Sequence, residues 1–408
     1  MSAGDVTGTL AIVLAAGLAC EFVAGLLRLP RMVVLLAAGA ILGPHAFAVL
    51  ELPLESVGVQ LLLTLGVSAI LFHGGLGLSL RVLRPVAAGL ALLAVPGVLL
   101  TALVTGAVAA IAFDVPLAAG LLIGAVLAPT DPAILVPLFE RLRIRPKVAQ
   151  AIVAESALND VTGAVLALSL AAFVVEGSGS LTGPLREFLV DLGVSTGIGV
   201  ALGLLLAAVV SHARFGIWRE SPVIAALLVV AGGYFTIGSA GGSGYLGAFV
   251  AGLIVGNMDV LHLGMHSERE RELRNFASAA TDVVVVFVFV TLGVNLPFDR
   301  LLGEAAPALA TLAILIAVAR PLTVFACLLA DRPGRWERNE LFFMAWTRET
   351  GVVPAALAAV LIAEGVGYEN ELATVVALAV VVTLALQSTT KGWLARRLHL
   401  GEPVQDQG

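Results

Sequence analysis

Apolar residues in this chain do not alternate with polar ones at strand or surface-helix spacing. They gather in long runs broken by short polar, proline or glycine interruptions. Runs of about 17 residues or more suit helices crossing a hydrocarbon core about 30 Å thick. Such runs lie at 6–27, 31–49, 57–78, 86–112, 117–138, 148–175, 187–210, 221–238, 243–258, 276–296, 302–330, 340–363 and 371–393, which predicts thirteen spans. Two of them, 31–49 and 243–258, are short and interrupted by glycine.

Composition agrees with an all-α polytopic membrane protein. The chain has 408 residues, 59% hydrophobic and 13% charged, with mean hydropathy +1.02. Soluble domains run near 25% charged. The first charge is Asp5, with no basic region ahead of it, so 6–27 reads as a retained span rather than a cleaved signal. The tail after Arg397 is short and predicts no soluble regulatory domain. Cys20 and Cys327 both fall in apolar runs and read as core residues, without a disulfide or metal framework. No enzyme active site, cofactor or nucleic-acid partner is expected; the lipid bilayer is.

The basic residues test the topology. Alternate loops hold Arg28 and Arg31; Arg81 and Arg84; Arg141, Arg143, Arg145 and Lys147; Arg214 and Arg219; Arg269, Arg271 and Arg274; Arg332, Arg335 and Arg338. The C-terminal end adds Lys391, Arg396 and Arg397 on the same side, whereas the opposite loops hold only Arg186 and Arg300. The positive-inside rule then places the N-terminus outside and the C-terminus in the cytoplasm of a cell-membrane protein. Arg320 and Arg348 lie within spans and read as the only cations with no aqueous home.

Two short strings recur. Ala38-Gly39-Ala40-Ile41-Leu42-Gly43 resembles Ala251-Gly252-Leu253-Ile254-Val255-Gly256, and Gly75-Leu76-Gly77-Leu78-Ser79-Leu80 resembles Thr291-Leu292-Gly293-Val294-Asn295-Leu296. Under the charge-derived topology each copy points opposite to its mate. The reading is an inverted repeat, 1–180 and 216–397, joined by a linking span at 181–215 and followed by a short tail at 398–408. Inverted repeats with broken helices are a recurrent build of secondary transporters. The same offset carries 126–137, with Pro129 and Pro132, onto 342–353, which runs into Pro354. Proline breaks a helix interior, so both spans are predicted to unwind near mid-membrane and to present helix dipoles there.

The chemistry sits beside those breaks. A carboxylate in hydrocarbon costs about 2.5–3.5 kcal/mol on insertion scales, so an intramembrane acid marks a functional site by default. Thr130 and Asp131 lie in one such span; Glu155, Ser156, Asn159 and Asp160 lie in the next, at helical spacing that puts them on one face. This oxygen-rich cluster suits a hard monovalent cation and protons. Asp160 is the candidate carrier, since a partly desolvated carboxylate can exchange a proton for a cation. Asp131 either helps hold the cation or offsets the helix dipoles at the break. Glu155 and Arg320 read as a structural pair, because a buried arginine needs a carboxylate. Arg348 has Asp131 or Glu349 as its expected partner. Asp282 lines a pathway or forms a solvated edge; Glu21 and Glu364 read as edge residues. His73 reads as a core histidine bonded to a backbone carbonyl, with tuning of the pH response as the alternative.

At this point the chain resembles the monovalent cation/proton antiporters of the NhaP/NHE branch. The resemblance rests on Thr130-Asp131-Pro132, Glu155-Ser156-x-x-Asn159-Asp160, Arg320-Pro321, and Arg348 ahead of Gly351-Val352-Val353-Pro354, and it covers nearly the whole chain. It implies a thirteen-helix, NhaA-like fold, a homodimer, and exchange of Na⁺ (or Li⁺, K⁺) for H⁺ by alternating access. It also implies that Thr130, Ser156 and Asp160 contact the cation, that Asp131 and Asn159 support the site, and that Glu155 pairs with Arg320. The Asn159-Asp160 pair matches the electroneutral branch, with one exchangeable carboxylate and 1:1 exchange. His73 stands where relatives often carry an acid, a departure that bears on selectivity and pH response.

Other classes fit less well. A channel would use similar oxygens, but channels place selectivity on symmetric rings or filters. An intramembrane aspartyl protease using Asp131 and Asp160 would want a Gly-x-Gly-Asp context that the sequence lacks. A K⁺/H⁺ exchanger is the nearest alternative.

Overall fold

The computed structural model describes residues 3–27, 29–131, 144–176, 182–212 and 216–401. Arg28, Pro132, Arg141, Arg143 and Arg214, which entered the sequence reading, lie outside them. Every regular element among the described residues is a helix. In chain order these are α1 (Ala3–Leu27), α2 (Arg31–Leu42), α3 (Val57–Gly77), α4 (Leu80–Ala112), α5 (Leu117–Leu127), α6 (Pro146–Glu176), α7 (Thr182–Val210), α8 (Pro222–Ser239), α9 (Gly244–Gly256), α10 (Ser267–Val294), α11 (Phe298–Ala330), α12 (Arg338–Trp346), α13 (Val352–Ala363) and α14 (Glu369–Arg397). Nine of the described helices are long and apolar enough to cross a membrane; α2, α5, α9 and α13 are shorter apolar helices.

Glycine fixes which helices touch. A Cβ on Gly39 of α2 would lie 2.3 Å from the Val290 carbonyl oxygen of α10, and one on Gly293 would lie 2.2 Å from that of Leu36. The same holds between α3 and α9, where a Cβ on Gly75 would meet the Phe249 oxygen at 2.2 Å and one on Gly252 the Phe72 oxygen at 2.1 Å. Close backbone approach through small residues is how helices associate where lipid removes the hydrophobic drive. The strings read as repeats are therefore the contact surfaces of α2 on α10 and of α3 on α9. Asn295 and Asn257 finish the two contacts, donating to the Leu52 and Leu78 carbonyls at 2.9 and 2.8 Å.

Helices α4 and α11 share a feature that hydropathy does not reveal. Each spans 33 residues and carries a π turn, Leu93–Gly97 in α4 and Leu315–Ala319 in α11. Pro96 lies inside the first and Pro321 just beyond the second. Proline lacks the amide hydrogen that a regular turn needs, and a π turn absorbs the defect. The two helices pack there, with Thr101 and Thr323 hydroxyls 2.9 Å apart and the Cys327 thiol 3.3 Å from the Leu92 oxygen. Both cysteines are buried and free. The π turn in α11 ends at Ala319, and Arg320, the next residue, is buried in the core.

Candidate functional site: a carboxylate cavity at two unwound segments

The unwinding predicted near mid-span is present. Helix α5 stops at Leu127, and the chain runs non-helically through Asp131. Helix α12 stops at Trp346, and residues 347–351 are non-helical before α13 begins at Val352. The two opened segments are tied to each other. The Asp131 amide donates to the Glu349 carbonyl at 2.9 Å. One Asp131 carboxylate oxygen accepts from the Val352 amide at 3.3 Å, at the N-terminal, dipole-positive end of α13. Gly351 permits this approach, because a Cβ there would lie 2.0 Å from that oxygen.

Arg348 serves the opposite pole. Its guanidinium donates to the Leu127 and Ala128 carbonyls, the latter at 2.8 Å, where α5 leaves acceptors unsatisfied. The expectation that Glu349 would partner it is corrected: the Glu349 carboxylate is paired with Lys391 of α14. Lys391 is buried, so it is not the tail cation that its place near Arg396 and Arg397 suggested, and Arg320 and Arg348 are not the only buried cations.

The face of α6 divides into two functions. Glu155 turns toward α11 and makes a two-point ion pair with Arg320, one contact at 3.0 Å; Arg320 also donates to the Met344 oxygen at 2.9 Å and the Thr347 oxygen at 3.3 Å. Ser156 and Asn159 turn toward Thr130. The Thr130 and Ser156 hydroxyls are 2.9 Å apart, Asn159 donates to the Thr130 hydroxyl at 2.9 Å, and its amide oxygen accepts from the Thr130 amide at 3.2 Å. These bonds hold the Thr130 oxygens in place without a charge.

Asp160 is different. Its Oδ1 is buried with no hydrogen-bond partner, and the side chain lines a cavity of about 530 Å³. The other walls include Thr130, Asp131, His73, Asp282 and Arg31, which come from four further segments of the chain. An unpartnered buried carboxylate oxygen is costly, and a cation or a proton is what it can take up. The His73 Nδ1 is also buried without a partner, so the carbonyl bond expected for the ring is not made at that nitrogen. Asp282 both lines the cavity and forms a solvated edge: it stands 3.8 Å from Arg31, and the two side chains are 66% and 31% exposed. Glu21 and Glu364 are exposed, as an edge placement requires.

The sequence reading missed the Glu349–Lys391 pair and the part Arg31 plays in the cavity wall. The first was legible in principle. Thr383, Gln387, Thr390 and Lys391 recur at i, i+4, i+7 and i+8 in the last apolar run, a polar stripe at helical spacing.

Comparison with known proteins agrees with this geometry. The transmembrane sodium/hydrogen exchanger family matches residues 10–397. A probable Na⁺/H⁺ antiporter 2 of Methanocaldococcus jannaschii is 27% identical over 371 residues, covering 89% of this chain and 86% of the relative. The K⁺/H⁺ antiporter NhaP of Alkalimonas amylolytica is 30% identical over 346 residues, covering 82% of this chain and 57% of the relative. Among solved structures, the sodium proton antiporter MjNhaP1 of M. jannaschii at pH 8 superposes with TM-score 0.84 at 26% identity, over 98% of this chain and all of that one. With the family matched over nearly its whole length, this chain belongs to the sodium/hydrogen exchangers, a family of membrane antiporters.

Proposed function

We propose that this protein exchanges Na⁺ or Li⁺ for H⁺, one for one, with Asp160 binding cation and proton in competition. The observation that carries the reading is Asp160, which lines the cavity with one buried carboxylate oxygen left unpartnered, beside Thr130 oxygens fixed by Ser156 and Asn159. Asp160, Thr130 and Ser156 contact the cation; Asp131 and Asn159 keep the opened segment in shape. Glu155–Arg320 braces the core. The empty site carries a charge that is costly to move through an apolar barrier, so Asp160 crosses only when loaded, and coupling follows.

The architecture proposed for this cycle is thirteen spans in two inverted repeats, 1–180 and 216–397, around a linking span in 181–215. The packing supports it. Each glycine string lies against the helix carrying the other string of the opposite half, and α4 and α11 each hold a π turn against the other. The N-terminus faces outward, the C-terminus faces the cytoplasm, and the protein works as a homodimer in the cell membrane. These follow from the loop charges and the family resemblance.

K⁺/H⁺ exchange is the second reading, favoured by the K⁺/H⁺ antiporter NhaP relative at 30% identity. Purified protein in liposomes with an imposed pH gradient decides both. Addition of Na⁺, Li⁺ and K⁺ in turn should dissipate the gradient for at least one ion. No response to any cation from folded protein would reject the exchange.

A further inference from the structure

The Glu349–Lys391 pair has no part in the cycle just described, yet it sits at the crossing. Helix α14 presents its polar stripe to the opened segment. Thr383 Oγ1 accepts from the Thr350 amide at 3.0 Å, Thr390 Oγ1 accepts from Trp346 Nε1 at 2.9 Å, and Lys391 is ion-paired to Glu349. The two charged side chains are 1% and 0% exposed. On the other side of the same segment the Glu349 carbonyl holds the Asp131 amide, which leads directly to the cavity.

Charge accounting shows why this matters. Among the described residues, the groups gathered around the crossing are the cations Arg320, Arg348 and Lys391 and the carboxylates Glu155, Glu349, Asp131 and Asp160. Other buried carboxylates are satisfied elsewhere: Glu340 by Arg145 and Lys147, and Asp331 by Trp336 Nε1 and the Gly334 amide. Arg31 and Asp282 at the cavity edge cancel each other. Three cations against four carboxylates leave one negative charge. One monovalent cation or one proton therefore neutralises the crossing. A second uncompensated carboxylate would demand a second positive charge in every cycle.

We propose that Lys391 is a positioning residue that silences Glu349, restricting exchange to the single carboxylate Asp160 and so fixing one charge per cycle. The proposal rests on the exchange reading above. Its physical content is that a buried charge without its partner sheds that charge by gaining or losing a proton.

Two single variants should then fail on opposite sides of the pH scale. In Lys391→Gln, Glu349 is a surplus carboxylate. The crossing returns to one negative charge only when Glu349 is protonated, so exchange survives in acid and stalls as pH rises. In Glu349→Gln, Lys391 is a surplus cation. While it is protonated the empty crossing is neutral and crosses unloaded, so cation flux uncouples from proton flux in acid; coupling returns as pH rises and Lys391 loses its proton. The double variant keeps the original balance.

The test is coupled cation and proton flux in proteoliposomes across a pH series, for wild type, both singles and the double. The expected result is displacement of the coupled-exchange profile by about one pH unit or more, to the acid side for Lys391→Gln and to the alkaline side for Glu349→Gln, with the double variant at the wild-type position. Displacement of both singles in one direction, no displacement, or a double variant no better than the worse single would overturn the proposal, since a merely structural pair predicts those results. If a single variant does not fold, Lys391→Arg and Glu349→Asp keep the charges and must leave the profile in place; a shift in either overturns the proposal. A wild type that exchanges nothing overturns the exchange reading itself, whereas an exchanging wild type with unmoved variants overturns this proposal alone.

Discussion

Two sets of carboxylates lie within a few residues of the same crossing and behave in opposite ways. Glu155 and Glu349 are each ion-paired to a buried cation, Arg320 and Lys391, with one Glu349 oxygen left without a hydrogen-bond partner. Asp160 lines the cavity and has one buried oxygen that bonds to nothing, and Asp131 is divided between a helix terminus and the cavity wall. The residue types are similar, and the burial differs by degree: Glu155 and Glu349 are buried, whereas Asp131 and Asp160 are half-buried at the cavity. What separates bracing from exchange is whether a fixed positive charge comes with the acid. A permanent partner supplies the neutralising charge from within the protein, whereas its absence leaves the group to be neutralised by whatever the solution supplies.

The comparison breaks most sharply at Asp160. Asp160→Asn removes the exchangeable charge but keeps the shape, so exchange should fall at least about a hundredfold, a loss of roughly 2.7 kcal/mol or more, with the detergent melting temperature unchanged. Comparable exchange in that variant would end the assignment. On the braced side the pattern should reverse. Glu155→Gln strands Arg320 in the core and should cost about 3–5 kcal/mol of stability, and Glu155→Gln combined with Arg320→Met should recover most of it; melting of the purified protein reads both. Gly75→Val tests the scaffold that holds the two regions together. Its side chain would meet the Phe249 oxygen, and overpacking of that kind costs about 1–3 kcal/mol, also read by melting.

Smaller effects sharpen the cavity side. His73→Ala should displace the pH profile of exchange by about half a unit, since its ring lines the cavity with an unpartnered nitrogen able to take a proton; an unmoved profile would make His73 a packing residue. Asp282→Asn breaks only an exposed pair, and such pairs are worth about 0–1 kcal/mol. The cation KM should therefore change less than about fivefold, and a larger change would place Asp282 in the binding site.

The sequence made some of this plain and concealed the rest for physical reasons. Polar residues inside apolar runs stand out, so Thr130, Asp131, Ser156, Asn159 and Asp160 were all legible, as was the need of Arg320 for a carboxylate. Lys391 was not. It falls close to Arg396 and Arg397 at the end of an apolar run, where a cation reads as an aqueous flank, and only the i, i+4, i+7, i+8 stripe around it hints at burial. The π turns were invisible because one extra residue in a turn leaves hydropathy unchanged; Pro96 and Pro321 marked the places but not the outcome. The partner of Arg348 was out of reach too, because carbonyl oxygens at a helix end belong to the backbone and carry no sequence signal.

The most direct test of the central claim is the apparent cation KM as a function of pH, measured with saturating cation at each pH to give the maximal rate. Competition at Asp160 predicts that on the acid side KM rises about tenfold per pH unit while the maximal rate holds steady, as mass action at one shared site requires. A maximal rate that falls with pH at constant KM would mean that cation and proton bind at separate groups, and would contradict the account.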